Sequence, residues 1–249
     1  MSIRQPILTT SALYPTWRST SWTRVGPRAR PLEHNLEQLP IIEWVHHALD
    51  PVGYCLWPPN NTADRPAASK WRLTTVSEVR FTGIDVALTA SLDLRESRPD
   101  TRCGIERSLG KVTEPGGGRW WTLGHEDVVR HRMIVLLRRG PAIDGPTFGR
   151  FVRETLSPAF HRGGARDLRS YAFLPITMPD ESREVGWNYQ GAIIFGADSR
   201  VRLHDVLMSH PVSAAIRSRS HILRAAHLYS TESSTALLRN DRIMAPHAW

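Results

Sequence analysis

The stretch HRMIVLLRR (residues 131–139) decides the fold, because its five consecutive apolar residues are typical of a buried β-strand. A helix is predicted to follow it. Asp144 is a suitable N-cap and Pro146 suits the first turn, where a missing N–H has no cost. Apolar residues then recur at steps of three and four, on one helical face: Phe148, Phe151, Val152, Leu156 and Ala159. The pair Gly163-Gly164 is expected to end this helix.

Three further segments complete a recognisable order. Strands are predicted over residues 168–174 and 188–195, with a turn-rich loop between them. Asp198 or Ser199 is expected to cap a second helix, and a last strand is predicted over residues 222–229. The order of elements is therefore βαββαβ, which is the ferredoxin-like plan.

Residues 133–139, 151–158, 168–171 and 189–195, with the step His210-Pro211, resemble an EthD-type member of the dimeric α/β-barrel superfamily. The resemblance covers the C-terminal half of the chain. It implies a fold whose relatives include polyketide cyclases, lactone isomerases and cofactor-free oxygenases, and some relatives that bind haem. Many relatives carry a His just before the small-residue–Pro pair of the first helix. Here that position is Leu156, which puts any chemistry of that His in doubt.

The N-terminal half shows signs of an internal repeat. A helix is expected over residues 32–49 and a short strand near residues 53–58, and residues 99–118 are expected to form an irregular loop. Three aromatic residues then recur in the same order 114 to 117 residues later: Tyr54 with Tyr171, Trp71 with Trp187, and Phe81 with Phe195. We therefore expect an α+β chain of two ferredoxin-like βαββαβ repeats, 1–130 and 131–249, packed sheet to sheet as an internally fused α/β barrel. Chance similarity is the alternative.

Composition excludes several classes of protein. The formal charge is +8, yet lysine occurs only at Lys70 and Lys111, and the arginines are spread along the chain without a nucleic-acid-binding pattern. An anionic small ligand fits this charge at least as well. Cys55 and Cys103 cannot form a disulfide framework, and no Cys/His set has zinc spacing. No apolar run could span a membrane, so we expect a cytoplasmic protein that binds neither nucleic acid nor membrane.

The strand predicted over residues 71–81 holds the first catalytic candidates. Alternation places Arg72, Glu78 and Arg80 on one face. If that face lines a pocket, Glu78 is a candidate general base, and the two arginines could hold a carboxylate or enolate. If it faces solvent, the strand is an ordinary amphipathic one.

A second acid–base pair is predicted at His125 and Asp127, which share a strand face with Trp121. His131 could join this pair. The alternative is a polar cluster at a strand end.

Aromatic residues supply the candidate walls of a pocket. Trp187 and Tyr189 share a predicted strand face with Gly191 and Ile193, while His227 and Tyr229 share another face with His221 and Leu223. Trp71 and Trp121 belong to the same candidate set. Such residues suit an ordinary core equally well, and His227 is also a candidate haem ligand.

These features favour a cofactor-independent enzyme of secondary metabolism. It would act by acid–base catalysis on an aromatic, polyketide-like or amino-acid-derived small molecule, with cyclisation, isomerisation or C–C bond formation as the outcome. Two alternatives stay open: a cofactor-free or haem-dependent monooxygenase, and a non-catalytic small-ligand-binding stress protein. No cofactor and no metal are expected, and a homodimer is possible.

Overall fold

The computed structural model describes residues 10–19, 41–50, 54–57, 71–89, 105–107, 111–112, 129–174, 189–239 and 242–243. The strands are β1 (Thr10–Ser19), β2 (Ile41–Leu49), β3 (Tyr54–Trp57), β4 (Trp71–Phe81), β5 (Ile105–Arg107), β6 (Lys111–Val112), β7 (His131–Arg139), β8 (Arg166–Ala172), β9 (Gly191–Ala197), β10 (Leu223–Arg239) and β11 (Arg242–Ile243). The helices are α1 (residues 84–89), α2 (Gly145–Arg150), a π-helix (Phe151–Leu156), α3 (Ser157–Arg162), α4 (Arg200–Met208) and α5 (His210–Ser218). Among the described residues, no helix is long and apolar enough to cross a bilayer.

The C-terminal half has the predicted order of elements. Strands β10, β7, β9 and β8 are hydrogen-bonded neighbours in that order, all antiparallel, which is the ferredoxin-like arrangement. The apolar run of β7 is buried because both faces of the strand are covered. Val135 and Leu137 pack in the cluster beneath the helices, whereas Ile134 and Leu136 pack on the opposite face.

The helices of this half follow their sequence signals. Asp144 caps α2 by accepting a hydrogen bond from the backbone N–H of Thr147, and Ser199 caps α4 in the same way. The predicted apolar face, from Phe148 to Ala159, is buried. The π-helical stretch between α2 and α3 precedes Pro158, whose missing N–H removes one α-helical hydrogen bond.

One long strand joins the two halves of the sheet. The first part of β10 pairs with β7 and β3, and its second part pairs with β2. Strand β2 pairs with β4, and β4 pairs with β1, so the principal order is β5-β1-β4-β2-β10-β7-β9-β8. The molecule is therefore an α+β protein built on one extended antiparallel sheet.

This sheet is curled. Glu78 of β4 is hydrogen-bonded to Tyr171 of β8, although β2, β10, β7 and β9 lie between those strands in the sheet. Five strand spacings of a flat sheet would separate β4 from β8 by about 24 Å. The two ends must therefore curl toward each other, and we call the enclosed side the inner face. Its apolar residues include Val76, Ile134, Leu136, Ile194 and Phe173.

Three expectations for the N-terminal half were wrong. Residues 41–49 form a strand rather than the end of a helix, because pairing with β4 and β10 overrides the apparent helical period. The expected irregular loop 99–118 contains β5 and β6, which pair along β1. Tyr54 lies in a strand that pairs with β10, whereas Tyr171 lies in one that pairs with β9, so these two tyrosines do not occupy matching positions.

Candidate functional site

The predicted site residues fall into three groups. The side chains of Glu78, Arg80, Tyr189, His227 and Tyr229 are described, and all but Arg80 are buried. Trp71 and Arg72 lie in β4, but their side chains are outside the described part. Four others lie outside the described residues altogether: Trp121, His125, Asp127 and Trp187.

Glu78 is the centre of a buried polar cluster on the inner face. Its Oε1 accepts a hydrogen bond from the Tyr171 hydroxyl, and its Oε2 accepts one from Nη1 of Arg169. Nε2 of His47 lies 3.5 Å from the same Oε2. These residues come from β4, β8 and β2, so only the curled sheet brings them together. We call this set, with Asp167 and Arg132, the Glu78 cluster.

The neighbours of Glu78 fix its charge. Burial alone would raise the pKa of Glu78, but the Arg169 guanidinium and the hydrogen bonds from His47 and Tyr171 together outweigh burial, so the pKa is lowered to about 2. The carboxylate is therefore ionised at neutral pH and only weakly basic. A group with so low a pKa is a poor general base, because the best base has a pKa near the working pH.

His47 is held in its neutral form. Burial lowers its pKa, and the hydrogen bond and charge of Glu78 offset this only in part. A neutral imidazole has one donor and one acceptor nitrogen, and the ionised carboxylate can only accept. Nε2 therefore carries the proton toward Glu78, while Nδ1 accepts a hydrogen bond from the Ser234 hydroxyl at 2.9 Å.

Asp167 extends the cluster into a chain of alternating charges. Its carboxylate accepts from Arg169 Nη2 at 3.3 Å and from Arg132 Nη2 at 2.9 Å. Asp167 has a φ of 44°, in the left-handed region, and lies at an irregularity in the pairing of β8 with β9. Two carboxylates thus alternate with two arginines, and these charges balance without any ligand. Burial would lower the pKa of Arg169, but Glu78 and Asp167 raise it.

Arg80 has a different partner from the one its spacing suggested. Its Nη2 lies 3.8 Å from a carboxylate oxygen of Glu43, the residue opposite it on β2. The side chain of Glu78 instead meets Arg169, which comes from a strand 91 residues later in the chain. His47, Arg169 and Tyr171 were not predicted as site residues. The available signals were the alternation of residues 43, 45, 47 and 49, and the Arg-x-Tyr step in the predicted strand β8.

A second buried polar group lies on the same face, which we call the Tyr189 cluster: Tyr189, His227, Tyr229 and Arg138. The hydroxyl of Tyr189 is 2.5 Å from Nδ1 of His227, and the two rings are edge to face at 5.5 Å. The Arg138 guanidinium lies 5.1 Å from the centre of the Tyr189 ring. Tyr229 also shares a hydrogen bond with Tyr189, yet burial raises the pKa of Tyr229 to about 12.

Two predicted strand faces needed correction around this cluster. Tyr189 packs on the inner face, whereas Ile193 packs beneath the helices, because β9 begins only at Gly191. Leu223 likewise packs beneath the helices, while Tyr229 packs on the inner face, because an irregularity between Leu223 and Ala225 shifts the alternation of β10. The pairing of Tyr189 with His227 was not foreseen.

The described residues do not fit haem. The space between the C-terminal sheet and its helices is filled by apolar side chains such as Phe148, Phe151 and Phe160. His227 and His47, the buried histidines among the described residues, lie on the opposite face of the sheet, away from this space. Within the same part of the chain, no three His, Cys, Asp or Glu side chains are grouped to hold a metal ion.

No protein-family model and no curated protein matches this chain. Similar solved structures include the chlorite dismutase of Candidatus Nitrospira defluvii in complex with imidazole, at 7% identity and TM-score 0.48, covering 92% of each chain. A "putative monooxygenase" from Fusobacterium nucleatum has 8% identity and TM-score 0.49, covering 98% of this chain and 99% of that one. Another from Lactobacillus acidophilus NCFM has 9% identity and TM-score 0.47, covering 94% and 98%. At such low TM-scores these likenesses carry no argument, and the EthD-type resemblance stays a prediction.

Proposed function

We propose that the protein is an enzyme that moves a proton on a small aromatic molecule at the Tyr189 cluster. The observation that carries this proposal is the 2.5 Å hydrogen bond between the Tyr189 hydroxyl and His227 Nδ1, buried beside an apolar face. A phenol bonded to an imidazole is a serviceable acid–base pair, and burial strengthens its electrostatics.

In the proposed reaction the Tyr189 oxygen takes a proton from an acidic C–H or O–H of the substrate. The proton of Tyr189 passes at the same time to His227 Nδ1, which leaves an imidazolium and a substrate anion. Arg138, 5.1 Å from the Tyr189 ring, favours this negative charge. Return of the proton to another atom gives isomerisation, and attack of the anion on a carbonyl gives ring closure or a new C–C bond. No bound cofactor enters these steps.

Glu78 has a positioning role in this proposal. Its low pKa makes it unsuitable as the base, while its bonds to Arg169 and Tyr171 join β4 to β8 across the inner face. His125 and Asp127 remain candidates for a second acid–base pair, and Trp71, Arg72, Trp121 and Trp187 remain candidates for substrate binding. We keep a cytoplasmic location and an optional homodimer as parts of the proposal.

We also propose that residues 1–130 and 131–249 are two ferredoxin-like units of one chain. Strand pairing supports this. In the N-terminal half β5 and β6 pair with β1, β1 with β4, and β4 with β2, all antiparallel. That order matches β10, β7, β9 and β8 of the C-terminal half.

A cofactor-free monooxygenase is the second candidate, and the same dyad favours it. An aromatic anion formed by Tyr189 and His227 beside an apolar face could react with O₂ instead of being reprotonated.

The test begins with mass spectrometry of small molecules that co-purify with the protein, followed by assays on the compound found and on anthrone, whose C–H is acidic. Deuterium incorporation in D₂O reports proton transfer, and an oxygen electrode reports oxygenation. Tyr189→Phe and His227→Gln should each lower turnover about 100-fold. Tyr171→Phe is the matched control, because it also removes one buried tyrosine hydroxyl from the inner face. Equal turnover in Tyr189→Phe and the wild type would refute the proposal.

A further inference from the structure

Five arginines, which we call the basic rim, lie at one end of the sheet: Arg138 and Arg139 at the end of β7, Arg217 in the last turn of α5, Arg219 just after it, and Arg224 near the start of β10. Arg138 belongs to both the rim and the Tyr189 cluster. We propose that the basic rim binds the anionic group of the substrate, so that the substrate is an aromatic carboxylate or a similar aromatic anion. This inference rests on the proposed function and names the substrate class of the same site.

Strand pairing places the two parts of the rim side by side. Arg138 pairs with Ala225, and Arg139 pairs with Leu223. The N–H of Gly140 donates to the carbonyl of Ile222 at 2.8 Å, and the N–H of Ile222 donates to the carbonyl of Arg219 at 2.9 Å. A Cβ at Gly140 would lie only 2.6 Å from the carbonyl oxygen of His221, so this approach requires glycine. The segments 138–140 and 219–225 are therefore in direct contact.

Arg224 is placed by a bulge. Leu223 and Ala225 face neighbouring residues of β7, so Arg224 is the extra residue between them. Bulges turn a side chain away from its regular position, and Arg224 is exposed, while Leu223 and Ala225 are buried. The irregularity thus adds a cation to the surface beside Arg138 and Arg139 without burying it.

Three arginines of the rim lack the carboxylate partners found in the Glu78 cluster. Arg217, Arg219 and Arg224 are exposed, and none of them forms an ion pair with a described residue. By contrast, Arg132 and Arg169 are paired with Asp167, and even the exposed Arg202 lies 3.7 Å from Asp205. Residues 138–144 and 217–224 contain one acidic residue, Asp144, whose carboxylate caps α2. Unpaired cations around a site favour binding of an anion.

The rim connects directly to the proposed site. The Arg138 guanidinium lies over the Tyr189 ring, and the backbone N–H of Arg139 donates to the side-chain oxygen of Gln190, the neighbour of Tyr189, at 2.9 Å. A flat aromatic anion bound here would place its charged group at the arginines and its ring against Tyr189. Aromatic side chains with a guanidinium nearby suit such a ligand.

The test uses two fluorescent probes that differ by one charge. 8-Anilino-1-naphthalenesulfonate is an aromatic anion, and N-phenyl-1-naphthylamine is its neutral counterpart without the sulfonate. The full-length wild type should bind the sulfonate more tightly, and its advantage should shrink between 50 mM and 1 M salt, because the Debye length falls to about 3 Å at 1 M. The double variant Arg219→Gln/Arg224→Gln should weaken sulfonate binding about three- to tenfold and leave the neutral probe unchanged.

The matched control is Arg200→Gln/Arg202→Gln, which removes two exposed arginines at the opposite end of the sheet, where β9 meets the start of β7. It should change neither probe. Equal binding of the two probes by the wild type, no binding of either, or an equal effect of both double variants would overturn the anion-binding rim. Loss of turnover in Tyr189→Phe tests the proposed function separately, since Arg219→Gln/Arg224→Gln should raise KM for an anionic substrate without lowering kcat.

Discussion

The Glu78 cluster and the Tyr189 cluster lie on the same inner face of one curled sheet but differ in their charge. The Glu78 cluster contains two carboxylates and two arginines whose charges cancel, and its histidine is held neutral. The Tyr189 cluster joins two phenols and an imidazole near one guanidinium. A balanced buried ion network resists a change of protonation. In the phenol–imidazole pair, by contrast, one proton lies between two groups that can each carry it. In the proposed function the first cluster therefore stabilises the sheet and the second carries the chemistry.

The largest expected effect is the loss of stability caused by Arg169→Gln in the Glu78 cluster. Arg169→Gln leaves the Glu78 carboxylate buried without its main cation and should lower the free energy of unfolding by about 3–5 kcal/mol. Urea denaturation measures it. Arg166→Gln, an exposed arginine of the same strand, is the control and should cost less than about 0.5 kcal/mol. A loss in Arg169→Gln as small as the loss in Arg166→Gln would show that the ion network adds no stability.

The pH dependence of stability tests the lowered pKa of Glu78. Its pKa falls from 4.5 to about 2 on folding, so below pH 4.5 the unfolded chain binds the proton first and stability falls as the pH falls toward 2. This group should remove about 2 kcal/mol from the free energy of unfolding between pH 6 and pH 3. Urea titrations at several pH values measure this loss, and Glu78→Gln should show a correspondingly shallower dependence. Parallel curves for the two proteins would contradict the low pKa.

Tyr189→Phe should have a smaller effect on stability than either change in the Glu78 cluster. It removes the buried hydrogen bonds of the Tyr189 hydroxyl with His227 and Tyr229, together worth about 1–2 kcal/mol, while the ring and its packing remain. The same urea experiment measures it beside Tyr171→Phe, which removes a hydrogen bond to a charged carboxylate and should cost more. If Tyr189→Phe proved the more destabilising, the Tyr189 cluster would have the structural role instead.

The smallest expected effect concerns Tyr229 at high pH. Its pKa rises from 10.0 to about 12 on folding, so its contribution to stability is complete below pH 10 and is lost as the pH rises toward 12. Between pH 9 and pH 11 the loss should be about 1 kcal/mol. The difference in unfolding free energy between wild type and Tyr229→Phe should therefore shrink over this interval. A constant difference would exclude the raised pKa.

The sequence predictions were correct where the deciding interactions are local in the chain, and wrong where they join distant segments. The strand at residues 131–139, the cap at Asp144 and the buried helical face were predicted correctly, and of the two candidate caps Asp198 and Ser199 the structure has Ser199. Each of these features depends on neighbours within a few residues. Residues 41–49 were assigned to a helix because their strand character comes from β4 and β10, which lie far away in the chain. Glu78 was recognised as unusual, but its assigned partners were the nearest arginines in sequence.

The sequence by itself determined the C-terminal βαββαβ order, because apolar periodicity and helix caps are local signals. Only the tertiary structure decided which polar groups meet. Curling of the sheet brings Glu78 to Arg169, and the start of β9 at Gly191 turns Tyr189 to the inner face beside His227. Register and curvature depend on pairing across the whole sheet, where one extra residue, as at Arg224, changes the face of every side chain beyond it.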